Sequence, residues 1–180
     1  MHDDLAPSDC HRRHLARFAL QLCLWPTLGA LLVACQPKAV TPRFAYTALD
    51  GRRRQSTDLL GDVVLVSFWA TSCAICIEEM PQLVALHRRF AGPGFRTLAV
   101  AMAYDAPARV AAFAESRQLP FEVVIDNTGD IARAFEGVRA TPTTALLDAK
   151  GGLSWRSEGK ASVTQLAARI QSLLNASPAS

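Results

Sequence analysis

The stretch VVLVSFWATSCAICIEEMP, Val63 to Pro81, joins an apolar run to two closely spaced cysteines and then to a charged segment. A short apolar run of this kind predicts a buried β-strand, and the residues after Cys73 have the spacing of an amphipathic helix. Cys73 and Cys76 therefore lie where a buried strand passes into a helix. Three roles fit this stretch alone: a redox-active pair, half of a metal site, or a structural disulfide.

The composition describes an ordinary globular chain. It has 180 residues, of which 50% are hydrophobic, enough for one packed domain with a short additional segment. The net charge is only +3, and the one basic cluster, Arg52 to Arg54, contains no aromatic residues. Nucleic acid is therefore not expected as a partner.

Strand-like and helix-like segments alternate along the chain, which predicts an α/β fold. Asp105 and Pro107 mark the start of the second predicted helix. Strands are predicted over residues 44–47, 63–69, 97–101, 122–125, 144–148 and through Trp155, and helices over residues 73–90, 107–117, 130–135 and 163–174.

The N-terminal segment has the layout of an export signal. Basic residues between positions 11 and 17 precede an apolar stretch, residues 18–34, that carries no charge. This stretch ends in LVAC, residues 32–35, which resembles the bacterial lipoprotein signal, where the cysteine becomes lipidated and is the first residue of the mature chain. An uncleaved membrane helix is the alternative, although 17 residues are at the short limit for spanning a bilayer. Either arrangement tethers the domain outside the cytoplasm, on the periplasmic side of a bacterial membrane.

These features divide the chain into four parts. Residues 1–34 are predicted to be a lipoprotein-type signal peptide, and residues 35–43 the anchor cysteine and a linker. Residues 44–174 form the predicted domain, and residues 175–180 a flexible tail.

The five cysteines are accounted for by this division. Cys10 and Cys23 would leave with the signal, and Cys35 would carry the lipid. The mature domain keeps only Cys73 and Cys76, whose disulfide would close too short a loop to restrain much chain entropy. We therefore do not expect a purely structural disulfide.

A zinc site would need two ligands besides the two cysteines. The only histidine after residue 35 is His87, which lies in the predicted helix beside Arg88 and Arg89 and is expected to be solvated. No metal or other cofactor is predicted.

A strand that leads into a Cys-x-x-Cys turn and a helix is the layout of the thioredoxin active site. SFWATSCAIC, EEMPQL and GVRATPTTALLDAKG resemble the redox turn, helix continuation and cis-proline loop of the TlpA/ResA-like branch. The resemblance runs from about Phe44 to Leu174. It implies a thioredoxin-like fold, a central mixed β-sheet flanked by helices, with the extra strand-helix insertion and N-terminal hairpin of this branch. Members are exported, membrane-tethered thiol-disulfide oxidoreductases, often reductants that serve cytochrome c maturation.

Thiol chemistry assigns the roles of the two cysteines. A nucleophilic thiolate must be exposed, and the N-terminal end of a helix favours its charged form, which predicts Cys73 as the attacking sulfur. Cys76, one turn deeper, is predicted to resolve the mixed disulfide. Ser72 or Thr71 is expected to cap the helix. The resemblance implies that Glu79, on the same helical face as Cys76, exchanges protons with the thiols; a simple helix-dipole partner is the alternative.

The remaining site residues come from the resemblance. A cis bond between Thr141 and Pro142 is expected beside the cysteines, where the backbone of Thr141 would pair with an extended substrate segment. Trp69 is expected at the rim of the site, and Ile75 in an apolar lip that contacts the client, with plain exposed packing as the alternative. Ser72 stands where relatives commonly have Trp.

These observations predict an enzyme that reduces disulfides in other exported proteins by dithiol-disulfide exchange. The resemblance implies a DsbD/CcdA-like membrane protein as electron donor. An oxidase or isomerase of the same fold is one alternative, and a copper-handling module, with Met80 as the nearest additional ligand, is another. A peroxidase is disfavoured because Val66 and Ala70 occupy the positions where a peroxiredoxin has Pro and Thr.

Overall fold

The computed structural model describes residues 40–177. The strands and helices alternate as the sequence predicts. The strands are β1 Ala45–Thr47, β2 Arg53–Gln55, β3 Val63–Trp69, β4 Phe95–Ala101, β5 Glu122–Ile125, β6 Thr143–Leu147 and β7 Leu153–Glu158. The helices are α1 Ala74–Phe90, α2 Pro107–Ser116, α3 Asp130–Ala134 and α4 Val163–Ala176, with a short 3-10 helix at Ser56–Leu59.

The central sheet is mixed, which confirms the predicted fold class. Its five strands lie in the order β5-β4-β3-β6-β7. Strands β3, β4 and β5 are parallel to one another, β6 is antiparallel to β3, and β7 is antiparallel to β6. All seven residues of β3 are buried, because β3 is the middle strand and both of its faces are covered. This explains why its sequence is a continuous apolar run rather than an alternation.

The two faces of β3 pack into separate cores, because successive side chains of a strand point in opposite directions. Val63, Leu65 and Trp69 join one core, to which α1 and α4 contribute Met80, Leu83, Leu86, Leu166 and Ile170. Val64, Val66 and Phe68 join the other core, which includes residues of α3 and β1. Helices on both faces therefore fix the position of β3, and β3 ends directly before the cysteines.

The antiparallel pair β1–β2 forms the predicted N-terminal hairpin and docks beside β5, one of the two edge strands of the sheet. The N–H of Leu49 donates to the carbonyl of Val123 at 3.0 Å. Glu122 accepts a hydrogen bond from the Tyr46 hydroxyl at 3.3 Å and pairs with Arg54 at 3.1 Å, measured from Nε to Oε1. Burial, and then the charge of Glu122, raise the pKa of Tyr46, so that this hydroxyl stays a donor at neutral pH.

The element ends differ from the predictions by a few residues. β4 begins at Phe95 rather than at residue 97, because Phe95 is buried and pairs with Val63. α4 continues to Ala176, so the predicted tail 175–180 begins two residues too early. A hydrogen bond from Gln171 to Asn175, 3.0 Å between Nε2 and Oδ1, supports this last helical turn.

The predicted signal peptide, Cys35 and most of the linker lie outside the described residues. Within residues 40–177, no helix combines the length and the apolar composition that a membrane span requires.

Candidate active site

The redox turn connects the end of β3 to the start of α1. Cys73 and Cys76 form a disulfide with 5.2 Å between their Cα atoms, so the structure shows the oxidised state. Cys73 itself is the N-cap of α1, and its sulfur accepts a hydrogen bond from the Cys76 N–H at 3.2 Å. The expectation that Ser72 or Thr71 caps this helix is therefore wrong.

The two cysteines differ in their exposure to solvent. Cys76 is 2% exposed, whereas Cys73 is only partly buried. The N–H of Cys76, in the first turn of α1, donates to the Cys73 sulfur and would stabilise its thiolate after reduction. The burial difference supports the predicted order, with Cys73 as attacking and Cys76 as resolving sulfur.

Asp105 holds the redox turn in place. Its carboxylate is 6% exposed and accepts two hydrogen bonds from Thr71, one from the backbone N–H at 2.5 Å and one from the hydroxyl at 2.6 Å. Thr71 is two residues before Cys73, so this contact fixes the chain just before the attacking sulfur. From the sequence, Asp105 is predicted only to mark the start of α2, whose N-cap is Ala106.

Glu79 lies one helical turn after Cys76 and is buried, with 8% of its surface exposed, whereas Glu78 is exposed. One Glu79 oxygen, Oε1, accepts a hydrogen bond from the N–H of Ala161 at 3.2 Å. Burial raises the pKa of Glu79 above its ordinary value of 4.5, and this outweighs the opposing effects of the Ala161 bond and the Lys160 charge. A carboxyl with a raised pKa, one turn from a thiol, is suited to proton exchange.

The Thr141–Pro142 peptide bond is cis, as the resemblance implied. Phe68 pairs with Thr143, so this bond lies beside the end of β3 and the start of the redox turn. Within residues 40–177, neither the N–H nor the carbonyl of Thr141 has a backbone hydrogen-bond partner. The hydroxyl of Thr141 lies 3.2 Å from that of Tyr104.

Trp69 does not lie at the rim of the site, which corrects its predicted place in the client-binding surface. Its side chain is 1% exposed and packs against Phe113, with 5.2 Å between the ring centroids. The cause is the strand alternation, which directs Trp69 into the same core as Leu65. Ile75, by contrast, is 49% exposed between the two cysteines, as expected.

His87 is half-buried, so its predicted solvation is also wrong. Its Nδ1 lies 3.1 Å from the hydroxyl of Thr97, and its ring packs against Phe121 with 5.5 Å between centroids. Burial lowers the pKa of His87 below 6.5, which keeps the ring neutral at neutral pH. In the described part of the chain, no three His, Cys, Asp or Glu side chains are grouped in a way that could hold a metal ion.

A mixed sheet with a Cys-x-x-Cys turn, a cis-proline loop and a buried glutamate defines a thiol-disulfide oxidoreductase of thioredoxin-like fold. The model of the AhpC/TSA family matches residues 37–156, well over half of the chain. The chain belongs to this family.

Related sequences and structures agree with this class. Thiol-disulfide oxidoreductase ResA of Geobacillus thermodenitrificans (strain NG80-2) is 35% identical over 113 residues, which cover 63% of this chain and 64% of the relative. Thioredoxin-like protein YneN of Bacillus subtilis (strain 168) is 34% identical over 130 residues, which cover 71% and 75%. The crystal structure of a thioredoxin-family thiol:disulfide interchange protein from Chlorobium tepidum TLS matches with a TM-score of 0.68 at 26% identity, covering 76% of this chain and 96% of that one.

Proposed function

We propose that this protein reduces disulfide bonds in exported client proteins while it is tethered to the periplasmic side of a bacterial membrane. The observation that carries the proposal is the Cys73–Cys76 pair at the start of α1, in which Cys73 is partly exposed and Cys76 is only 2% exposed. Such asymmetry gives the two thiols successive roles in disulfide exchange. Ala74 and Ile75 place no charge or proton donor between them that would make the pair strongly oxidising.

The reaction uses the reduced form of the pair. The Cys73 thiolate attacks a client disulfide, whose S–S bond breaks as a Cys73–client disulfide forms and the other client sulfur leaves as a thiolate. The Cys76 thiolate then attacks the Cys73 sulfur, which releases the second client thiolate and forms the Cys73–Cys76 bond. Two electrons pass to the client, and a dithiol protein of higher reducing power must reduce the pair again.

Glu79 is the proposed proton acceptor for Cys76. The thiol of Cys76 must lose its proton before it attacks, and a nearby buried carboxylate with a raised pKa can take it up. A cavity of about 20 Å³ bordered by Glu79, Thr144 and Ala161 has room for one water molecule. Through that water the Glu79 carboxyl would pass the proton on to solvent.

The client is proposed to bind as an extended segment along the cis-proline loop. The free backbone N–H and carbonyl of Thr141 would pair with it as one strand pairs with another. Pro142 fixes the direction of this loop, and the exposed Ile75 would contact the client on the other side of the disulfide.

The tether rests on the sequence of the N-terminal segment. A charge-free stretch that ends in LVAC supports export and lipidation at Cys35, with an uncleaved helix as the alternative. Cytochrome c maturation as the pathway, and a DsbD/CcdA-like membrane protein as donor, come from the TlpA/ResA-like resemblance.

Trapping experiments with single cysteine variants test the proposed exchange. Cys76→Ala leaves Cys73 able to attack, but no internal thiol can resolve the product, so client adducts that disappear under reductant should accumulate. The Cys73→Ala variant should accumulate few such adducts. Equal amounts in the two variants, or adducts confined to Cys73→Ala, would refute the assigned order.

The direction of electron flow is tested by the thiol state of the pair in growing cells. Trapping with an alkylating reagent should show Cys73 and Cys76 mainly reduced, as in a reductase that is continuously supplied with electrons. A mainly oxidised pair would instead identify an oxidase.

The tether is tested by labelling with a fatty acid analogue. Cys35→Ser should abolish the label and leave an unprocessed precursor, whereas normal maturation of this variant would contradict the lipoprotein assignment.

A further inference from the structure

Tyr104 is 62% exposed, more than any other large hydrophobic side chain within residues 40–177. It lies in the loop between β4 and α2, directly before Asp105. A single exposed aromatic ring is common on protein surfaces and needs no explanation by itself. The position of this ring, however, is fixed at two points by the redox site.

The first fixed point is the backbone on the side of the redox turn. The N–H of Met102 donates to the carbonyl of Trp69 at 3.0 Å, and Asp105 binds Thr71 through both carboxylate oxygens. The chain on both sides of Tyr104 is therefore attached to the residues that lead into Cys73.

The second fixed point is on the opposite side, at the cis-proline loop. The Tyr104 hydroxyl lies within hydrogen-bonding distance, 3.2 Å, of the Thr141 hydroxyl. Tyr104 thus connects the two segments that border the disulfide, the redox turn and the loop that carries Pro142. The ring of Tyr104 remains exposed even though its hydroxyl is bound to Thr141.

We propose that Tyr104 is a client-binding residue that selects an apolar side chain next to the client disulfide. An aromatic ring held at its hydroxyl offers a large contact area at little cost in side-chain entropy. Ser72, which precedes Cys73, supplies no aromatic surface. The occupant is an extended client segment with an aromatic or large aliphatic residue beside its cysteine. This inference rests on the proposed function, because it assumes that the site accepts protein disulfides.

Exchange kinetics with matched substrates test the inference. The reduced full-length protein is reacted with a peptide that has one internal disulfide flanked by Phe, with the same peptide flanked by Ser, and with bis(2-hydroxyethyl) disulfide. The measured quantity is the rate constant for the Phe peptide divided by that for each of the other two. Wild type should favour the Phe peptide, and Tyr104→Ser should lower both ratios by roughly 3–15-fold.

Two further variants separate the ring from other effects. Tyr104→Phe keeps the ring and loses only the bond to Thr141, so its ratios should fall clearly less than those of Tyr104→Ser. Leu60→Ser removes another exposed apolar side chain, 49% exposed, outside the proposed site and should leave both ratios unchanged.

The outcomes are distinguishable. Ratios that Tyr104→Ser does not change, in a protein that reduces all three disulfides, would overturn the Tyr104 assignment alone. A loss in Tyr104→Phe as large as in Tyr104→Ser would also overturn it, since the hydroxyl rather than the ring would then be responsible. A wild type that exchanges with none of the three would overturn the proposed function, and the Tyr104 assignment with it.

Discussion

Two buried carboxylates lie close to the redox turn, one on each side of the cysteines. Asp105 contacts Thr71, two residues before Cys73, and Glu79 lies one helical turn after Cys76. Their exposed fractions are nearly equal, 6% and 8%. Asp105 accepts hydrogen bonds at 2.5 and 2.6 Å, however, whereas Glu79 accepts one at 3.2 Å.

The difference shows that two equally buried carboxylates can be held by hydrogen bonds of different number and length. Donors to both oxygens of Asp105 compensate for its lost hydration, and these two hydrogen bonds hold the chain just before Cys73. Asp126 has the same arrangement at the start of α3, where it accepts from the N–H groups of Ile131 and Ala132 at 3.1 and 2.8 Å. Glu79 is less fully satisfied, and its pKa is raised, so it can change its protonation state.

The largest effect is expected from Asp105→Ala. The variant leaves the N–H and hydroxyl of Thr71 without their charged acceptor, which should lower the free energy of unfolding by roughly 2–4 kcal/mol. Urea denaturation of the oxidised protein measures this, and Asp105→Asn, which keeps one acceptor oxygen, should recover part of the loss. A loss below about 0.5 kcal/mol in Asp105→Ala would remove the distinction between the two carboxylates.

A smaller effect on stability, but a clear effect on exchange, is expected from Glu79→Gln. The new amide would keep an acceptor for the N–H of Ala161 but could not take up a proton, so exchange at neutral pH should slow by about tenfold or more and lose part of its pH dependence. Stopped-flow measurement of exchange between pH 5 and 9, roughly the range in which thiols and a raised carboxyl titrate, tests this. Glu78→Gln, at the exposed neighbouring position, is the matched control. Identical pH profiles for wild type and Glu79→Gln would leave Glu79 with a structural role only.

The Glu79→Gln variant should also differ from wild type in how its free energy of unfolding depends on pH. A raised pKa means that folded Glu79 binds its proton more tightly than the unfolded chain does, so stability falls as pH rises from 4.5 through the folded pKa. Glu79→Gln lacks this loss. The free energy of unfolding of Glu79→Gln minus that of wild type should therefore increase as the pH rises through that interval.

The smallest effect is expected from Thr71→Val. This change removes the hydroxyl donor but keeps the backbone N–H bond to Asp105, so it should cost about 1–2 kcal/mol, less than Asp105→Ala. In a double-mutant cycle, most of this cost should disappear when the Asp105→Ala change is already present. Additive costs would show that the two side chains are not coupled.

The sequence predicted those parts of the site that follow from local pattern or from the resemblance. β3 has the predicted bounds because a short apolar run preceded by Gly61 and Asp62 is a strong local signal. The Cys-x-x-Cys turn opens α1 as expected, and the cis bond before Pro142 was implied by its sequence context.

The contacts of Asp105 could not be predicted in this way, since its partner Thr71 is 34 positions earlier in the chain. A long-range contact of this kind depends on how β3 and β4 align, and no period in the sequence encodes it. Trp69 was predictable, in contrast, because strand alternation places it on the face of Leu65; the resemblance alone led to the wrong position. No pattern in the sequence indicates a role for Tyr104, since its exposure and its contact with Thr141 are evident only from the structure.

The hairpin β1–β2 has a consequence for the behaviour of the protein at high concentration. An uncovered edge strand offers its free N–H and carbonyl groups to a strand of another molecule and so promotes aggregation. The N–H of Leu49 donates to one of these carbonyls on β5, that of Val123. The contacts of Glu122 with Tyr46 and Arg54 hold the hairpin in this position. The hairpin therefore withholds part of this edge from pairing with another molecule, although it lies outside the redox site.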